Sequence, residues 1–369
     1  MNIKDVAREA GVSTATVSHV INNTRFVSEE MRARVLHAIE QCNYYANAHA
    51  RSLASGRSNI LGLLISDIAN PFFPELVKSI EAAAFERGYD VMLTNTNYDP
   101  QRMSHYVRRF IERKVTGVVL MTTEFDMALV NELARLRMPV VYLDLEPGFN
   151  QSNLSVDYGV GIEEALRYLV ASGHRDIAFV GGPVHLRSAI KRRIAFRVGL
   201  AKYLPSAAAP KVYEGNFKLE GGRQAATEIL AEEKLPTAVM FANDMMALGA
   251  MQEFRAAGLE IPRDISIVGF DDIAFAALAD LTTVCLPRSV LGNCAVEALM
   301  STVERPDQEG VELEVPTHLV MRGSTASIGN TEDQITPSGE EMERQQQTPD
   351  TPQSLHALPL AGPTELKNR

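Results

Sequence analysis

The chain has 369 residues, of which 46% are hydrophobic and 22% are charged, and its formal net charge is −10. This length suits two or three domains, and the apolar content is ample for a large buried core. The acidic balance excludes a protein that adheres to nucleic acid over its whole surface.

The N-terminal 22 residues predict two short helices joined by a tight turn. Asn2 can cap the first helix, with Asp5 three residues later, and Gly11 stands where a left-handed residue must end it. Ser13 is then placed to cap the second helix. The expected unit is a helix, a turn and a helix.

The second of these helices has the pattern of a DNA-recognition helix. Val17, Val20 and Ile21 form an inward stripe, and the outward positions are short or hydrogen-bonding side chains. Such side chains can approach base edges closely in the major groove. A plain helical hairpin is the alternative, because hairpins are common. The outward residues are Thr14, Ala15, Ser18 and His19.

A third helix is predicted after Ser28, with Val35, Leu36 and Ile39 as its buried face, so that three helices close a small core. Residues 1–58 carry seven Lys and Arg against five acids, a net charge of +2, so the remainder carries −12. Basic side chains beside a recognition helix can bind DNA phosphates. Ordinary scatter of surface charge is the alternative reading of so small an excess.

Residues 44–58 are predicted to be a linker. A helix from Asn47 to Ala54 would be too short to be stable in isolation, and Gly56 gives a flexible joint.

From Ile60 onward, short apolar runs alternate with amphipathic helices, as a parallel sheet buried on both faces requires. Two such series predict two lobes. Strands are expected at Ile60–Ile65, Tyr89–Thr94, Gly117–Met121, Val140–Leu143, Ile177–Gly181, Ala238–Ala242, Ile265–Phe270 and Glu312–Thr317. Helices are expected at Pro74–Arg87, Gln101–Arg113, Ile162–Ser172, Ser188–Leu204, Gly222–Glu232, Asp244–Phe254 and Val290–Glu304.

Ligands of open parallel sheets bind beyond the carboxyl ends of the strands, so the polar residues after each run are candidates for a site. They combine phenylalanines with Asn, Asp and Arg, the side chains that stack on a sugar ring and bond its hydroxyls. Each has a structural alternative as a cap, a core residue or a solvated charge. The candidates are Asn70, Phe72, Phe73, Asp144, Arg192, Phe217, Asn243 and Asp271.

Three further features bear on the class of protein. Cys42, Cys285 and Cys294 are odd in number and are not spaced as metal ligands are. The sequence also has no secretory signal and no apolar run of about 20 residues. We therefore expect a cytoplasmic protein without a metal. Gly159 and Gly161 lack the third glycine of a dinucleotide site, and no hydrolase or phosphate-loop motif occurs, which predicts no enzyme. The tail, residues 328–369, has no apolar period and is predicted to be disordered.

The run DVAREAGVSTATVSHVINNTRFVSEE, followed by ARSLASGRS, resembles the headpiece and hinge of the lactose/galactose repressor (LacI/GalR) family, and VSTATVSHVIN is most similar to its ribose and purine branch. The resemblance implies an all-α helix-turn-helix headpiece and a two-lobed α/β core like periplasmic binding proteins, with two parallel doubly wound sheets and three crossovers. The expected boundaries are 1–46 for the headpiece, 47–58 for the hinge helix, 59–327 for the core and 328–369 for the tail. Within the core, residues 59–158 and 288–317 form the first lobe, and 159–287 and 318–327 the second.

The same resemblance implies how DNA is bound. In the family the hinge orders on DNA and a leucine wedges into the minor groove, which makes Leu53 the matching residue; burial against the third helix is its alternative. A homodimer would match a palindromic operator. The implied DNA-binding residues are Thr14, Ala15, Thr16, Ser18, His19, Asn22, Arg25, Arg51 and Leu53.

For the ligand, the resemblance implies a sugar site in which Phe72, Phe73 and Phe217 stack on the ring and the polar candidates bond its hydroxyls. The expected function is a repressor released from its operator by a pentose such as ribose, or by a hexose, without a cofactor. A repressor that needs a purine co-repressor is the main alternative, and Leu286, where relatives carry Gln, leaves the sugar open. A sugar carrier or an α/β enzyme is the alternative from another class.

Overall fold

The computed structural model describes residues 2–22, 24–44, 58–122, 127–145, 151–205 and 210–328. The predicted hinge residues Arg51 and Leu53 and the tail after Ile328 lie outside this part of the chain. No helix in the described ranges is long and apolar enough to cross a membrane.

The N-terminal unit is the expected three-helix headpiece. Its helices are α1 (Ile3–Ala10), α2 (Thr14–Asn22) and α3 (Glu29–Gln41). The side chain of Asn2 accepts hydrogen bonds from Lys4 and Asp5, and the Asp5 carboxylate accepts one from the Asn2 N–H, so the capping box is present. Gly11 ends α1 at φ 62°. The predicted caps at Ser13 and Ser28 are also confirmed, since their hydroxyls accept from the N–H groups of Thr16 and Met31.

One prediction about the headpiece core is wrong. Leu36 was expected to be buried, but 48% of its surface is exposed, and Ala38 and Cys42 are buried with Val35 instead. Residues 35, 38 and 42 follow one helical stripe, and Leu36 lies about 100° away from Val35.

The first sheet of the core has six strands in the order β11-β5-β4-β3-β1-β2. Their bounds are β1 (Ile60–Ile65), β2 (Asp90–Asn95), β3 (Gly117–Met121), β4 (Val140–Leu143), β5 (Ser152–Asp157) and β11 (Glu312–Pro316). The pairs β1–β3, β3–β4, β4–β5 and β5–β11 are parallel. The sheet and its helices α4 (Phe72–Phe85), α5 (Pro100–Glu112), α6 (Met127–Arg135) and α12 (Arg288–Glu304) are called the first lobe.

The second sheet has the order β12-β10-β9-β8-β6-β7 and is parallel except for β12, which pairs antiparallel with β10. Its strands are β6 (Ile177–Val180), β7 (Val212–Tyr213), β8 (Ala238–Phe241), β9 (Ser266–Asp271), β10 (Thr282–Cys285) and β12 (His318–Val320). With α7 (Tyr158–Ala171), α8 (Arg187–Tyr203), α9 (Leu219–Leu230), α10 (Asp244–Ala256) and α11 (Ala274–Leu278) it is called the second lobe. The chain passes between the sheets three times, after β5, β10 and β11, which confirms the predicted fold class.

Every predicted strand and helix that falls in the described residues exists within a few residues, whereas the predicted helix Asn47–Ala54 lies outside them. Four strands and two helices of the described residues were not predicted. The missed strands are β5, β7, β10 and β12, and the missed helices are α6 and α11. In β5 and β10 polar side chains interrupt the apolar pattern and are nonetheless buried, because each has a partner. Asn153 exchanges two hydrogen bonds with the backbone of Leu145, and the hydroxyl of Thr282 donates to the carbonyl of Arg322.

Candidate functional site

A cavity of about 540 Å³, including its opening to solvent, lies between the two lobes of the core. Its walls combine aromatic rings with a few polar groups, which is the usual composition of a small-molecule site. The first lobe contributes Asn70, Phe72 and Phe73, and the second contributes Arg192, Phe217, Asn243 and Asp271. The structure therefore brings together all the predicted ligand-binding residues except Asp144.

Arg192 is the most constrained side chain of this cavity. It projects from α8, is only 7% exposed, and its guanidinium lies 3.9 Å from the centre of the Phe270 ring. One terminal nitrogen donates to the carbonyl of Ala242, and the other donates to Asp271 at 3.0 Å. The Nε–H has no hydrogen-bond partner among the described residues. A buried donor of this kind is rare, and an acceptor on a bound molecule would satisfy it.

Asp271 lies at the carboxyl end of β9 and adopts φ 107°, a left-handed conformation that is unfavourable for a residue with a side chain. Burial raises the pKa of its carboxyl to about 6, against the opposing effect of Arg192 and Arg288. Asp244 is fully buried, and both burial and the neighbouring Asp271 raise its pKa well above the ordinary range. Two neighbouring carboxyl groups and one arginine are thus buried here, and of these Asp271 and Arg192 line the cavity.

Phe217 is held against the cavity by its backbone and by a glycine. Its φ of 62° fixes the direction of the ring, and a Cβ atom at Gly182 would overlap the ring edge. The amide of Asn243 donates to the Phe217 carbonyl at 2.9 Å, which fixes the same loop from the other side. The aromatic wall therefore has little freedom to move.

We expect Gly182→Ala to lower effector affinity about tenfold, because the new methyl group must displace the Phe217 ring, an overpacking effect of about 1–3 kcal/mol. Calorimetric titration measures the affinity. Gly181→Ala is the matched control, since its Cβ would approach only the flexible end of Arg193, at 2.8 Å. Equal affinities of the two variants would contradict the role given to Gly182.

The two asparagines of the cavity also support the backbone around them. The side-chain oxygen of Asn243 caps α10 by accepting from the N–H of Met246, and its amide nitrogen holds Phe217. The oxygen of Asn70 accepts from the N–H of Phe72 at the start of α4. Their structural and binding roles are compatible, because both residues line the cavity.

Asp144 follows β4 as predicted, but it does not line the cavity. Its carboxylate accepts hydrogen bonds from the Tyr158 hydroxyl and the Val156 N–H, and it pairs with Lys191 at 2.7 Å. Lys191 belongs to the second lobe, so this ion pair links the two lobes. The carboxylate of Asp144 is thus engaged by protein groups, and Tyr158, which donates to it, lines the cavity.

Other lining residues were not predicted. Ser66 and Thr122 stand directly after β1 and β3, where the carboxyl-end rule applies, whereas Tyr158 was hidden because β5 was not predicted. The remaining lining residues are Tyr98, Met121, Leu143, Ser188 and Leu286.

Comparisons with known proteins decide the family. A family model for bacterial regulatory proteins of the lacI family matches residues 2–47, and a model for a periplasmic binding protein-like domain matches residues 166–325. The chain is 38% identical over 328 residues to the ribose operon repressor of Escherichia coli (strain K12), covering 87% of this chain and 99% of that protein. The chain belongs to the LacI family. The resemblance seen in its headpiece is thereby confirmed over most of the chain.

Other LacI-family proteins extend the likeness. The transcriptional repressor PurR of Histophilus somni (strain 129Pt) is 34% identical, over 88% of this chain and 99% of its own length. The lac repressor dimer bound to operator and the anti-inducer ONPF superimposes with a TM-score of 0.80 at 28% identity, covering 89% of this chain and 99% of that one. A LacI-family regulator of Enterococcus faecium with bound ribose gives 0.66 at 28% identity, covering 73% and 99%. These relatives are regulators of transcription, so this chain is a DNA-binding regulator and not an enzyme.

In this LacI-family headpiece, most of the predicted DNA-binding side chains lie on the outward face of α2. Thr14, Ala15 and Asn22 are exposed, and so is Arg25 in the following loop. Thr16 differs, because it is half-buried and its hydroxyl lies 2.9 Å from that of Ser13.

The half-buried Ser18 and His19 have local partners. The Ser18 hydroxyl accepts from the amide of Asn22, and Nδ1 of His19 lies 2.8 Å from the Thr24 hydroxyl. These contacts fix the two side chains on the helix surface before DNA is bound.

Proposed function

We propose that this LacI-family protein is a transcriptional repressor that binds a palindromic operator as a homodimer and is released when a small sugar, a pentose such as ribose or a hexose, binds between its lobes. The buried Arg192 carries the proposal, because its Nε–H has no partner among the described residues and the residue lines a cavity walled by three phenylalanines. A sugar hydroxyl or ring oxygen supplies the missing acceptor, and its C–H face fits the aromatic rings.

Each wall residue then has a proposed role. Phe72 and Phe73, whose rings meet edge to face at 5.3 Å, and Phe217 enclose the sugar ring from the two lobes. Asn70, Asn243 and Asp271 bond its hydroxyls. Leu286 lines the cavity with an apolar surface, so fewer hydroxyls are bonded on that side.

On the DNA side, we propose that α2 enters the major groove and that Thr14, Ala15, Thr16, Ser18 and His19 contact base edges. Asn22, Arg25 and Arg51 contact the phosphate backbone of the DNA, and Leu53 wedges into the minor groove. The boundaries given for the headpiece, hinge and lobes belong to this proposal, as does a cytoplasmic location.

Coupling between the two functions requires that the sugar bind one arrangement of the lobes better than the other. Several contacts join the lobes besides the cavity. Asp144 of the first lobe pairs with Lys191 and accepts from the Tyr158 hydroxyl. Glu75 of α4 accepts from the N–H of Ala274 at 3.4 Å, and Arg288 of α12 donates to the carbonyl of Asp271. A sugar that favours closure of the two lobes strains the arrangement that the first lobes of the dimer adopt on the operator, and the dimer then releases the DNA.

The proposal is tested with the purified full chain. Duplexes bound by the protein are selected from a random library, and fluorescence anisotropy then measures affinity with ribose, other pentoses, hexoses and purines. We expect a palindromic duplex to be preferred and one sugar to weaken its binding at least tenfold. If only guanine or hypoxanthine changes the DNA affinity, the effector is a purine and not a sugar. If the protein shows no preference for a palindromic duplex, the proposed repressor function is wrong.

Effector binding should depend on pH through Asp271. Since burial raises its pKa to about 6 from an ordinary value of about 3.9, its contribution to stability is full below about pH 4 and is lost as the pH rises through 6. A sugar hydroxyl that donates to the carboxylate needs the ionised form. We therefore expect ribose affinity, or that of the sugar identified above, to rise about tenfold from pH 5 to pH 7.

Calorimetric titration across pH 5–8 checks this dependence. Asp271→Asn removes the titrating group, so its affinity should be lower and should vary little with pH. The titratable and charged groups near Asp271 include Tyr158, Asp244, Asp272, Arg192 and Arg288. A slope that persists in Asp271→Asn would assign the dependence to Asp244 instead and would contradict the prediction.

A further inference from the structure

Helix α8 has an apolar stripe on its solvent face. Its inward face buries Ala189, Phe196 and Leu200, yet the side facing away from the core is also apolar at helical spacing. Ile190, Ile194 and Val198 recur every four residues and are 42%, 55% and 65% exposed. Single exposed apolar residues are ordinary, but a row of β-branched side chains along the outer face of a helix is not.

Basic side chains flank this α8 stripe. Arg193 and Lys202 pair with Glu214 and Glu163, while Arg197, which is exposed, has no ion pair among the described residues. Two copies of α8 placed face to face would bring these cations together. An apolar segment that arrives with acidic residues therefore fits the stripe better than a second copy of the helix does.

The end of the described chain lies close to this helix. The N–H of Ile328 donates to the carbonyl of Ser172, which follows α7. Helices α7 and α8 run antiparallel, because Glu163, near the start of α7, pairs with Lys202 at the far end of α8. The C-terminal end of α7, and Ile328 with it, therefore lies alongside the first half of α8, where the stripe begins.

The 41 residues that follow Ile328 have the matching chemistry. Residues 332–350 contain six acids and one basic residue, Arg344. They are followed by an apolar cluster, LHALPL, at residues 355–360, the longest such cluster of the tail. Between 328 and 355 lie 26 residues, and a random-coil chain of that length has an end-to-end distance of about 30 Å, whereas α8, with 17 residues, is about 26 Å long.

We propose that residues 355–360 of the same chain pack on the α8 stripe, with Leu355, Leu358 and Leu360 against Ile190, Ile194 and Val198, and with the acidic run beside Arg197. Tethering places the segment at a millimolar effective concentration, so a weak contact is sufficient. The tail thereby covers an exposed apolar surface of the second lobe. The proposal does not depend on the identity of the effector.

The first test uses a nitroxide label on His356→Cys in the full chain, since the three native cysteines are buried. We expect the isoleucine methyl NMR signals of Ile190 and Ile194 to broaden and to recover on reduction of the label. The exposed Ile68 of the first lobe should keep its signal. Samples in which label and isotope are on different chains should show no broadening.

Substituting the three leucines 355, 358 and 360 with serine should abolish the effect on Ile190 and Ile194. Broadening that survives this change, appears only between different chains, or is absent altogether would overturn the proposal.

A second measurement follows chymotryptic cleavage within residues 355–360. Ile194→Ser should accelerate cleavage several-fold, because the segment loses its contact, whereas Leu136→Ser should not. Leu136 is a matched control, since it is 52% exposed on the first lobe, against 55% for Ile194. Equal cleavage rates in both variants and the parent chain would also overturn the proposal.

Discussion

Arg192→Met is expected to destabilise the core by about 3–5 kcal/mol and to weaken effector binding by at least tenfold. The substitution leaves Asp271 buried without its principal cation, and it removes the donor to the Ala242 carbonyl and the donor proposed for the sugar. Methionine keeps most of the aliphatic stem but lacks the guanidinium that lies 3.9 Å from the centre of the Phe270 ring, so this contact is lost as well. Urea unfolding followed by circular dichroism measures the first effect, and calorimetric titration measures the second.

The neighbouring Arg193→Met is the matched control. Arg193 pairs with Glu214, which is 59% exposed, so the loss of this solvated pair should change stability by less than about 1 kcal/mol. Adding Asp271→Asn to Arg192→Met should restore part of the lost stability, because the uncompensated buried charge is then gone. If the two variants have equal free energies of unfolding, the buried Arg192–Asp271 pair does not stabilise the core.

The fold could be predicted where the sequence pattern and the burial agree. In β1, β3 and β8 nearly every residue is apolar and buried, so an apolar run marks the strand directly. The pattern fails in β5 and β10, where Asn153 and Thr282 are buried with hydrogen-bond partners that are distant in sequence. Leu36 shows the converse, since a larger apolar side chain is exposed while Ala38 is buried.

The cavity could be predicted to a similar extent and for a related reason. The carboxyl-end rule brings Asn70 and Asp271 to the cavity lining, because parallel strands bring these positions to one edge of each sheet, and Arg192 reaches the lining from within α8. The rule does not specify which side chain reaches the cavity. Tyr158 lines the cavity while its hydroxyl bonds Asp144, a contact across 14 positions that depends on the unpredicted strand β5.

The headpiece should be far more sensitive to backbone strain than the core. Gly11→Val places a β-branched residue at φ 62°, which costs about 1–2 kcal/mol, and its Cβ would lie 3.0 Å from a guanidinium nitrogen of Arg34. That guanidinium donates to the Ala10 carbonyl at the end of α1, so the helix junction is disturbed as well. A core of so few residues supplies only about 3–5 kcal/mol of stability.

Gly11→Val should therefore lower operator affinity by at least a hundredfold, because α2 is no longer held in place. Effector affinity should stay within about twofold of that of the parent chain, because the interlobe cavity is unchanged. Anisotropy with the selected palindrome and calorimetry with the sugar measure the two effects. Gly88→Val is the control, since Gly88 also has a positive φ, 76°, but belongs to the large core and has no atom within 4 Å of the added Cβ. Full operator affinity of Gly11→Val, or equal losses in both variants, would show that the turn between α1 and α2 does not govern DNA binding.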